Sequence, residues 1–402
     1  MHSVYPPLSS VAWASFLTGK NPGKHGIYGF LDRSFSPYKL YIPHARYLRG
    51  ETLWEILSRQ GKRVISINVP LTFPPRPVNG IIVGGFLSPS LQKAVYPKGI
   101  APILQKLGYR IDVDIQRGKE SRIALLADLQ ETLSRRVEAA TYLLKHEAWD
   151  CFMLHIMETD RLHHFFWEAY EEPHSPYAGA FLRFYQHLDT LLGQFRALLD
   201  AHTLFLMLSD HGFCRLKREL YLNRWLQVTG WLRFTTPTPQ SILDLHPASK
   251  AYSLNPGRLY IHLQGREPGG QVRPGLEYEV ARGELRRQLL QLTDPEEHTP
   301  VFQRIEDREK LYRGEALDLA PDLLAIPAEG YDLKGEVGMP NLWQRGTFTG
   351  THTYDNAFFY ANTAFQPPPS LSIMDIMPTI LHYLHLPLPG DLDGQAVSLE
   401  PV

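Results

Sequence analysis

The sequence predicts an α/β fold with a mostly parallel central sheet and a smaller inserted subdomain. Two segments, WDCFML (149–154) and HTLFLML (202–208), are apolar throughout instead of alternating with polar residues. Uniformly apolar runs are typical of strands buried on both faces of a parallel sheet. Each run follows a helical stretch, as expected for strands joined by crossover helices. Acidic residues follow both runs, and ligands of such sheets bind beyond the carboxyl ends of the strands.

Helical and strand-like patterns alternate through the first half of the chain. A helix should begin at Ser9, where polar residues give way to a helical pattern that continues to Phe16, and a second should be ended by Gly61. In chain order, the remaining predicted elements are a helix at 51–61, a strand at 62–70, a helix at 121–145, an apolar run at 149–160, a helix at 178–199 and an apolar run at 202–213.

The texture of the sequence changes between about Arg215 and Gly346. Prolines, glycines and charged loops become frequent there, and strand signals such as GRLYIHL (257–263) and DLLAI (322–326) are short. AFFYA (357–361) then resumes a core strand, and residues 372–386 form a closing helix. We therefore predict a core domain of residues 1–214 and 347–402, with residues 215–346 inserted as a subdomain or cap.

Composition excludes several classes of partner. The 41 basic and 42 acidic residues leave a formal charge of −1, so there is no electrostatic reason to expect a nucleic-acid polymer or an anionic membrane. No apolar run approaches the roughly 18 residues of a membrane helix, and a signal peptide's basic and apolar regions are missing from the start. Cys151 and Cys214 form no CxxC pair, which favours a reducing compartment and a cytoplasmic location.

The motif METDRLHHFFW combines a carboxylate and imidazoles at an informative spacing. Asp160 and His164 are four residues apart and would share one face of a helix that begins there. A carboxylate and an imidazole suit Zn²⁺ or Mn²⁺. His163 is the competing choice, and a capping Asp160 followed by a histidine with an ordinary structural role is an equally good account of this motif alone.

Two further motifs place acid or imidazole groups at strand edges. Asp210 and His211 are adjacent in LSDHGF, and both can reach one ion if the backbone turns, which Gly212 allows. His352 lies in GTHTYDNAFF, before the strand at 357–361. Each motif alone is typical of a turn or loop, but three of them beside apolar strands favour a metal site.

A nucleophile for such a site is available in PPLSSVAWASFLTG. Ser9, Ser10, Ser15 and Thr18 all carry hydroxyls there, and a cation can hold a hydroxyl in its reactive alkoxide form. Ser9 would lie at a helix N-terminus, where unpaired N–H groups can bind an oxyanion. A serine that only caps the helix is the structural alternative.

Taken in order, PPLSSVAWASFLTGKNPGKHGI, METDRLHHFFW, LSDHGF and GTHTYDNAFF resemble the alkaline phosphatase superfamily, in its type I phosphodiesterase/nucleotide pyrophosphatase branch. The resemblance covers nearly the whole chain and implies a three-layer αβα fold. It implies that Ser9 is the nucleophile and that two divalent ions, Zn²⁺ or else Mn²⁺, are bound. Asp160, His164 and His352 would hold one ion and Asp210 and His211 the other, which leaves His163 without a ligand role.

The sequence departs from this family at two places. Family members open with a strand that ends in a metal-binding aspartate, in a sequence of the type GLDG, whereas this sequence begins eight residues before Ser9. We expect that strand and aspartate to have been lost through an incomplete gene call. Phe30 stands where characterised members carry an Asn that contacts the phosphate. The sulfatase branch is excluded, because Ser9 is not followed by its C/S-x-P-x-R pattern.

The resemblance implies a phosphoester hydrolase that acts on a small molecule, possibly a nucleotide, through a phosphoseryl intermediate on Ser9. A diester is favoured over a monoester, because the branch consists mostly of diesterases. Two alternatives stay open at this point. A phosphoryl transferase or mutase would pass the group from the same serine to another hydroxyl, and a non-catalytic remnant would only bind a phosphorylated ligand or a partner.

Overall fold

The computed structural model describes residues 1–400, apart from the side chain of Arg117. The chain forms two compact units. The first, called unit 1 here, contains Met1–Asn21, His44–Phe213 and the chain from Thr347 onward, and the second, unit 2, contains Pro22–Pro43 and Cys214–Gly346. The division into a core and an inserted subdomain at residues 215–346 stays a prediction.

The helices are α1 (Ser9–Thr18), α2 (Pro22–His25), α3 (Leu53–Arg59), α4 (Leu91–Ala94), α5 (Ile100–Lys106), α6 (Ile115–Glu120), α7 (Arg122–His146), α8 (Glu158–Glu171), α9 (Ala178–Arg196), α10 (Leu222–Val228), α11 (Leu276–Leu289), α12 (Arg308–Leu311) and α13 (Ile376–Tyr383). The strands are β1 (Asp32–Phe35), β2 (Tyr38–Tyr41), β3 (Val64–Ile67), β4 (Gly80–Val83), β5 (Val95–Tyr96), β6 (Cys151–Leu154), β7 (Leu206–Leu208), β8 (Gly212–Arg215), β9 (Arg218–Tyr221), β10 (Ala251–Leu254), β11 (Arg258–Ile261), β12 (Phe302–Asp307), β13 (Leu323–Pro327), β14 (Tyr331–Lys334), β15 (Trp343–Gln344), β16 (Gly350–Thr353) and β17 (Phe359–Ala361).

Unit 1 contains a four-stranded sheet in the order β5-β4-β3-β6. β3 pairs in parallel with both β4 and β6, and β5 joins the edge antiparallel. All four residues of β3 are buried, which explains its uninterrupted apolar sequence. The last residue of β3, Ile67, lies opposite Leu154 of β6, so the chain leaves both strands at the same edge of the sheet. This arrangement confirms the predicted α/β fold class.

Apolar residues at helical spacing place α7 against this sheet. Leu125, Leu129 and Leu133 are fully buried on one face, and Ala140 and Leu143 continue that face to pack with the β3 side chains. Ser121 caps the helix by accepting a hydrogen bond from the backbone N–H three residues on.

Several predicted elements are present with shorter bounds. The apolar run at 149–160 contributes only β6 to the sheet, because its pairing with β3 ends at Leu154. The run at 202–213 contributes β7, which pairs antiparallel with β17. The closing helix begins as a 3₁₀ turn at Ile373–Asp375, fixed by a capping box between Ser372 and Asp375, and continues as α13.

Unit 2 is built on an antiparallel sheet in the order β10-β11-β13-β12, with α11 packed against β11. The strand β11 is buried throughout, and Leu285 and Leu289 of α11 are fully buried in the same core. This core also contains charged groups, described below. Among the described residues, no helix is both long and apolar enough to cross a membrane.

Candidate active site

The first turns of α8 present Asp160 and His164 from one helix face. The backbone N–H of Arg161 donates to the Met157 carbonyl, so the helix has already formed where Asp160 lies. His164 follows one turn later, and its Nε2 lies 3.6 Å from Asp160 Oδ1. His163 does not join this pair: its Nε2 is hydrogen-bonded to the Tyr185 hydroxyl of α9 at 2.5 Å.

The turn after β7 presents Asp210 and His211. His211 Nε2 lies 3.4 Å from Asp210 Oδ2 and 3.9 Å from Asp160 Oδ1. Gly212 is required here by space: a Cβ at this position would lie 2.2 Å from the Asp355 carbonyl oxygen. The sequence prediction assigned Gly212 to backbone freedom, whereas its reason is the close approach of the loop that follows β16.

The strand β16 supplies His352, whose Nε2 lies 2.9 Å from His164 Nε2 and 3.2 Å from Asp160 Oδ1. β16 can lie this close to α8 because of Gly350. A Cβ on Gly350 would meet the His163 carbonyl oxygen at 2.5 Å. The contact is held by the Thr349 N–H, which donates to the His164 carbonyl at 2.6 Å.

Ser9 is the first residue of α1, and its Oγ lies 3.2 Å from His211 Nε2. The preceding N-cap residue, Leu8, has no side chain that can bond the first-turn N–H groups. Of the other candidate hydroxyls, Thr18 donates to the Ala14 carbonyl, and Ser10 and Ser15 are buried. The structure thus brings Ser9 together with the five predicted metal ligands.

Hydrogen bonds to backbone carbonyls determine which imidazole nitrogens carry a proton. The Nδ1 atoms of His164, His211 and His352 lie 3.0, 3.2 and 3.0 Å from the carbonyl oxygens of Gly350, Gly212 and Pro7. Because a carbonyl oxygen only accepts, each Nδ1 donates and each Nε2 of a neutral ring presents a lone pair.

Burial keeps these rings neutral. It lowers the pKa of His164 to about 3 and also lowers the pKa of His211. Burial alone would raise the pKa of Asp160, but the adjacent imidazoles and Arg161 outweigh it and hold that pKa well below its ordinary value. At neutral pH the site therefore consists of an ionised carboxylate and imidazole lone pairs that face one another.

This donor set fits divalent cations. Two ligands of a tetrahedral zinc ion, each about 2.0–2.1 Å from it, are about 3.3 Å apart. The separations within the site, from 2.9 to 3.6 Å for the Asp160, His164 and His352 atoms, are close to that value. Asp160, His211 and His352 also form a compact group, with ligand atoms within 4.8 Å of one another. Asp210 Oδ2 is buried without a hydrogen-bond partner among the described residues, as expected for an atom that meets a cation.

Two supporting groups were missed by the sequence reasoning. Arg136 of α7 and Glu158, the first residue of α8, form a buried ion pair with an N–O distance of 2.7 Å. Arg136 also donates to the Tyr109 hydroxyl and to the Ile111 carbonyl. The ring of Phe213 lies among the site histidines. An acid in the first turn of a helix was a signal for Glu158, but neither its partner nor the place of Phe213 follows from local sequence.

Comparisons with known proteins agree with this fold. No curated protein matches the chain in sequence. The structure is similar to phosphonoacetate hydrolase from Sinorhizobium meliloti 1021 in complex with phosphonoacetate, with a TM-score of 0.60 and 17% identity over 94% of this chain and 84% of that one. It is also similar to human ectonucleotide pyrophosphatase/phosphodiesterase 5, with a TM-score of 0.57 and 13% identity over 98% of this chain and 87% of that one.

An inactive variant of the murine ectonucleotide pyrophosphatase/phosphodiesterase 5, in complex with AMP, gives a TM-score of 0.56 with 13% identity, over 98% of this chain and 88% of that one. These likenesses confirm the predicted alkaline-phosphatase-like fold. The model of the family described as type I phosphodiesterase/nucleotide pyrophosphatase matches residues 1–355. The chain therefore belongs to the type I phosphodiesterase/nucleotide pyrophosphatase family, whose members are phosphoester hydrolases.

Proposed function

We propose that the protein is a metal-dependent phosphoester hydrolase that uses Ser9 as its nucleophile. The observation that carries the proposal is the position of the Ser9 hydroxyl, 3.2 Å from a histidine nitrogen that presents a lone pair to the metal-ligand cluster. Its helix offers first-turn N–H groups beside the same hydroxyl, since the N-cap residue has no side-chain bond to them.

Two groups of donors would hold two ions. Asp160, His164 and His352 form the first group. Asp210 and His211 form the second, on which the Ser9 hydroxyl converges. Bound divalent ions, Zn²⁺ by preference for these ligands and otherwise Mn²⁺, would stabilise negative charge on the attacking and departing oxygens.

The reaction takes two displacements. In the first, Ser9 Oγ forms a bond to phosphorus while the bond from phosphorus to the leaving alcohol breaks, which produces a phosphoseryl enzyme and the alcohol. In the second, the oxygen of a water molecule bonds to phosphorus, the bond to Ser9 Oγ breaks, and the serine regains its proton. The first-turn N–H groups of α1 are placed to bind the phosphoryl oxygens in both steps.

A diester of a small molecule is the substrate class that we propose, with a nucleotide as one candidate. The name of the family supports the diester. The titles of two structural neighbours name phosphonoacetate and AMP as their ligands, which supports a small anionic ligand. We also propose a reducing, cytoplasmic location, which fits the two free thiols Cys151 and Cys214.

The direct test compares Ser9→Ala with Ser10→Ala, a matched control at the next buried hydroxyl of the same helix. Protein stripped with EDTA and reloaded with Zn²⁺ or Mn²⁺ should hydrolyse bis(p-nitrophenyl) phosphate faster than p-nitrophenyl phosphate. Ser9→Ala should lower kcat on the order of 10⁴-fold or more, the range for loss of a nucleophile, whereas Ser10→Ala should stay near the wild type. Acid quenching during turnover should leave one phosphoryl group on the peptide that contains Ser9.

Two results would replace this proposal by an alternative. Transfer of the phosphoryl group to an added acceptor alcohol, in preference to water, would identify a transferase. Protein that binds no more than one weak ion and turns over neither ester would identify a non-catalytic remnant, and equal activity of Ser9→Ala and the wild type would exclude Ser9 as the nucleophile.

A further inference from the structure

Phe213 occupies an unusual place beside the metal-ligand cluster. Its ring centroid lies 5.0 Å from that of His164 and 5.0 Å from that of His352, in both cases edge to face, with the planes 76° apart. The His211 ring is 5.5 Å away and tilted by 55°. One aromatic ring therefore contacts an imidazole from each of the three segments that supply histidines to the site.

Phe213 is itself held from the side away from these imidazoles by other rings. Trp167 of α8 stacks on it at 5.9 Å with the planes 19° apart. His163 meets it edge to face at 4.9 Å, and the hydrogen bond to Tyr185 anchors that histidine. This accounts for His163, which the metal site does not use.

The imidazoles need a third contact of this kind. Each has one hydrogen bond, from Nδ1 to a backbone carbonyl, and one free coordination direction, at Nε2. A single hydrogen bond at Nδ1 leaves the ring plane free to rotate about the axis through that bond, which would swing the Nε2 lone pair out of the site. Edge-to-face contact with a fixed aromatic ring restricts this rotation, because the ring faces prefer defined relative orientations.

We propose that Phe213 is a positioning residue that fixes the ring planes of His164, His352 and His211, so that their Nε2 lone pairs converge on bound cations. The proposal rests on the proposed function only in taking these histidines as metal ligands. Groups that orient metal ligands from behind typically change metal affinity 10- to 100-fold when they are removed. An aliphatic residue of similar volume would keep the packing but lose the preferred ring orientations.

The test compares Phe213→Leu with Phe213→Tyr and with Phe152→Leu. The last is a matched control, because Phe152 is a half-buried phenylalanine of the same unit whose ring contacts are with Trp149 and Phe195. Zn²⁺ dissociation constants are measured by competition with a chromophoric chelator, and the visible bands of the Co²⁺-substituted proteins report ligand geometry. Urea unfolding of the metal-free proteins measures the purely structural effect.

We expect Phe213→Leu to weaken Zn²⁺ binding about 10-fold or more and to shift the Co²⁺ bands. Phe213→Tyr and Phe152→Leu should match the wild type in both measurements. Unchanged Zn²⁺ affinity and Co²⁺ bands in Phe213→Leu would overturn the proposal, whatever its unfolding free energy. If the wild type binds Zn²⁺ tightly but hydrolyses no phosphoester, the proposed function fails while these measurements still decide the role of Phe213. If the wild type binds no Zn²⁺, both fail.

Discussion

At the scale of single residues, a short backbone contact often decides what a side chain can do. His163 and His164 are neighbours, yet His164 donates its Nδ1 proton to Gly350 and presents Nε2 to the site, while His163 bonds to Tyr185. The spacing of Asp160 and His164 was predictable from helix geometry alone. The partners of the two histidines were not, because they come from elements about 20 and 190 residues away in the chain.

Asp322 shows the same principle within unit 2. Its carboxylate accepts hydrogen bonds from both terminal nitrogens of Arg266, from the Tyr278 hydroxyl and from the Ile261 N–H, at 2.6 to 2.8 Å. Burial alone would raise the pKa of Asp322, but these bonds and the charge of Arg266 outweigh it and lower the pKa.

We expect Asp322 to contribute to acid sensitivity. Because its folded pKa lies below the ordinary value of 3.8, its stabilisation is complete above that pH and is lost as the pH falls through the depressed pKa. Asp322→Asn should cost about 3–5 kcal/mol at neutral pH, since Arg266 loses its charged partner, and should flatten the acid limb of the stability curve. Urea unfolding between about pH 2 and pH 7 measures both effects.

The control for this prediction is Glu277→Gln, which removes an exposed carboxylate paired with Arg273 on the surface of the same unit. It should leave the curve in place, because exposed ion pairs contribute little. An unaltered acid limb in Asp322→Asn would show that other carboxylates control the acid transition.

At the scale of elements, the site depends on how α7 supports the start of α8. Arg136 and Glu158 are buried, with side-chain exposures of 0% and 1%, and their ion pair joins the two helices two residues before Asp160. The pair therefore fixes where the first turn of α8 lies. The helix α7 was predictable from its leucine spacing, but the single arginine on its buried face draws its meaning from a helix that the chain reaches 22 residues later.

We expect Arg136→Met to destabilise the protein by about 3–5 kcal/mol, because Glu158 keeps its charge in a buried position without a counter-charge. The double variant Arg136→Met with Glu158→Met should recover most of this loss, since an apolar pair of similar size needs no charge compensation. The measurement is urea unfolding of both variants.

Arg135→Met is the matched control on the same helix, because Arg135 is exposed and pairs with the exposed Glu138. Its unfolding free energy should change by no more than about 0.5 kcal/mol. A loss in Arg136→Met as small as this would mean that the buried pair does not support α8.

At the scale of the whole molecule, the candidate site joins four segments that are far apart in sequence. Its groups come from α1, α8, the turn after β7 and β16. The sequence motifs predicted which residues carry chemistry, because each stands at the edge of an apolar strand or at a helix start. How the ligands divide between the cations was implied by family resemblance alone, since the distances across the site depend on long-range packing.

A site of this kind should stabilise the fold when it is filled. A ligand that binds only the folded state adds about 2.7 kcal/mol at 100 times its Kd, so Zn²⁺ should raise the melting temperature of EDTA-treated protein by several degrees. His352→Ala should abolish most of this shift, and the exposed His174→Ala should keep it. Differential scanning calorimetry measures the shift, and an equal shift in His352→Ala and the wild type would place the bound zinc elsewhere.

The helix α1 has no wet face: all ten of its residues, from Ser9 to Thr18, are buried. Water cannot take over any contact that the helix gives up, so moving Ser9 toward a ligand would require loosening the packing along the entire helix. The attacking oxygen therefore behaves as a fixed point in an otherwise adjustable pocket. Ligands must bring their phosphorus to that point, which should make turnover fall abruptly, and not gradually, as leaving groups become too bulky to do so.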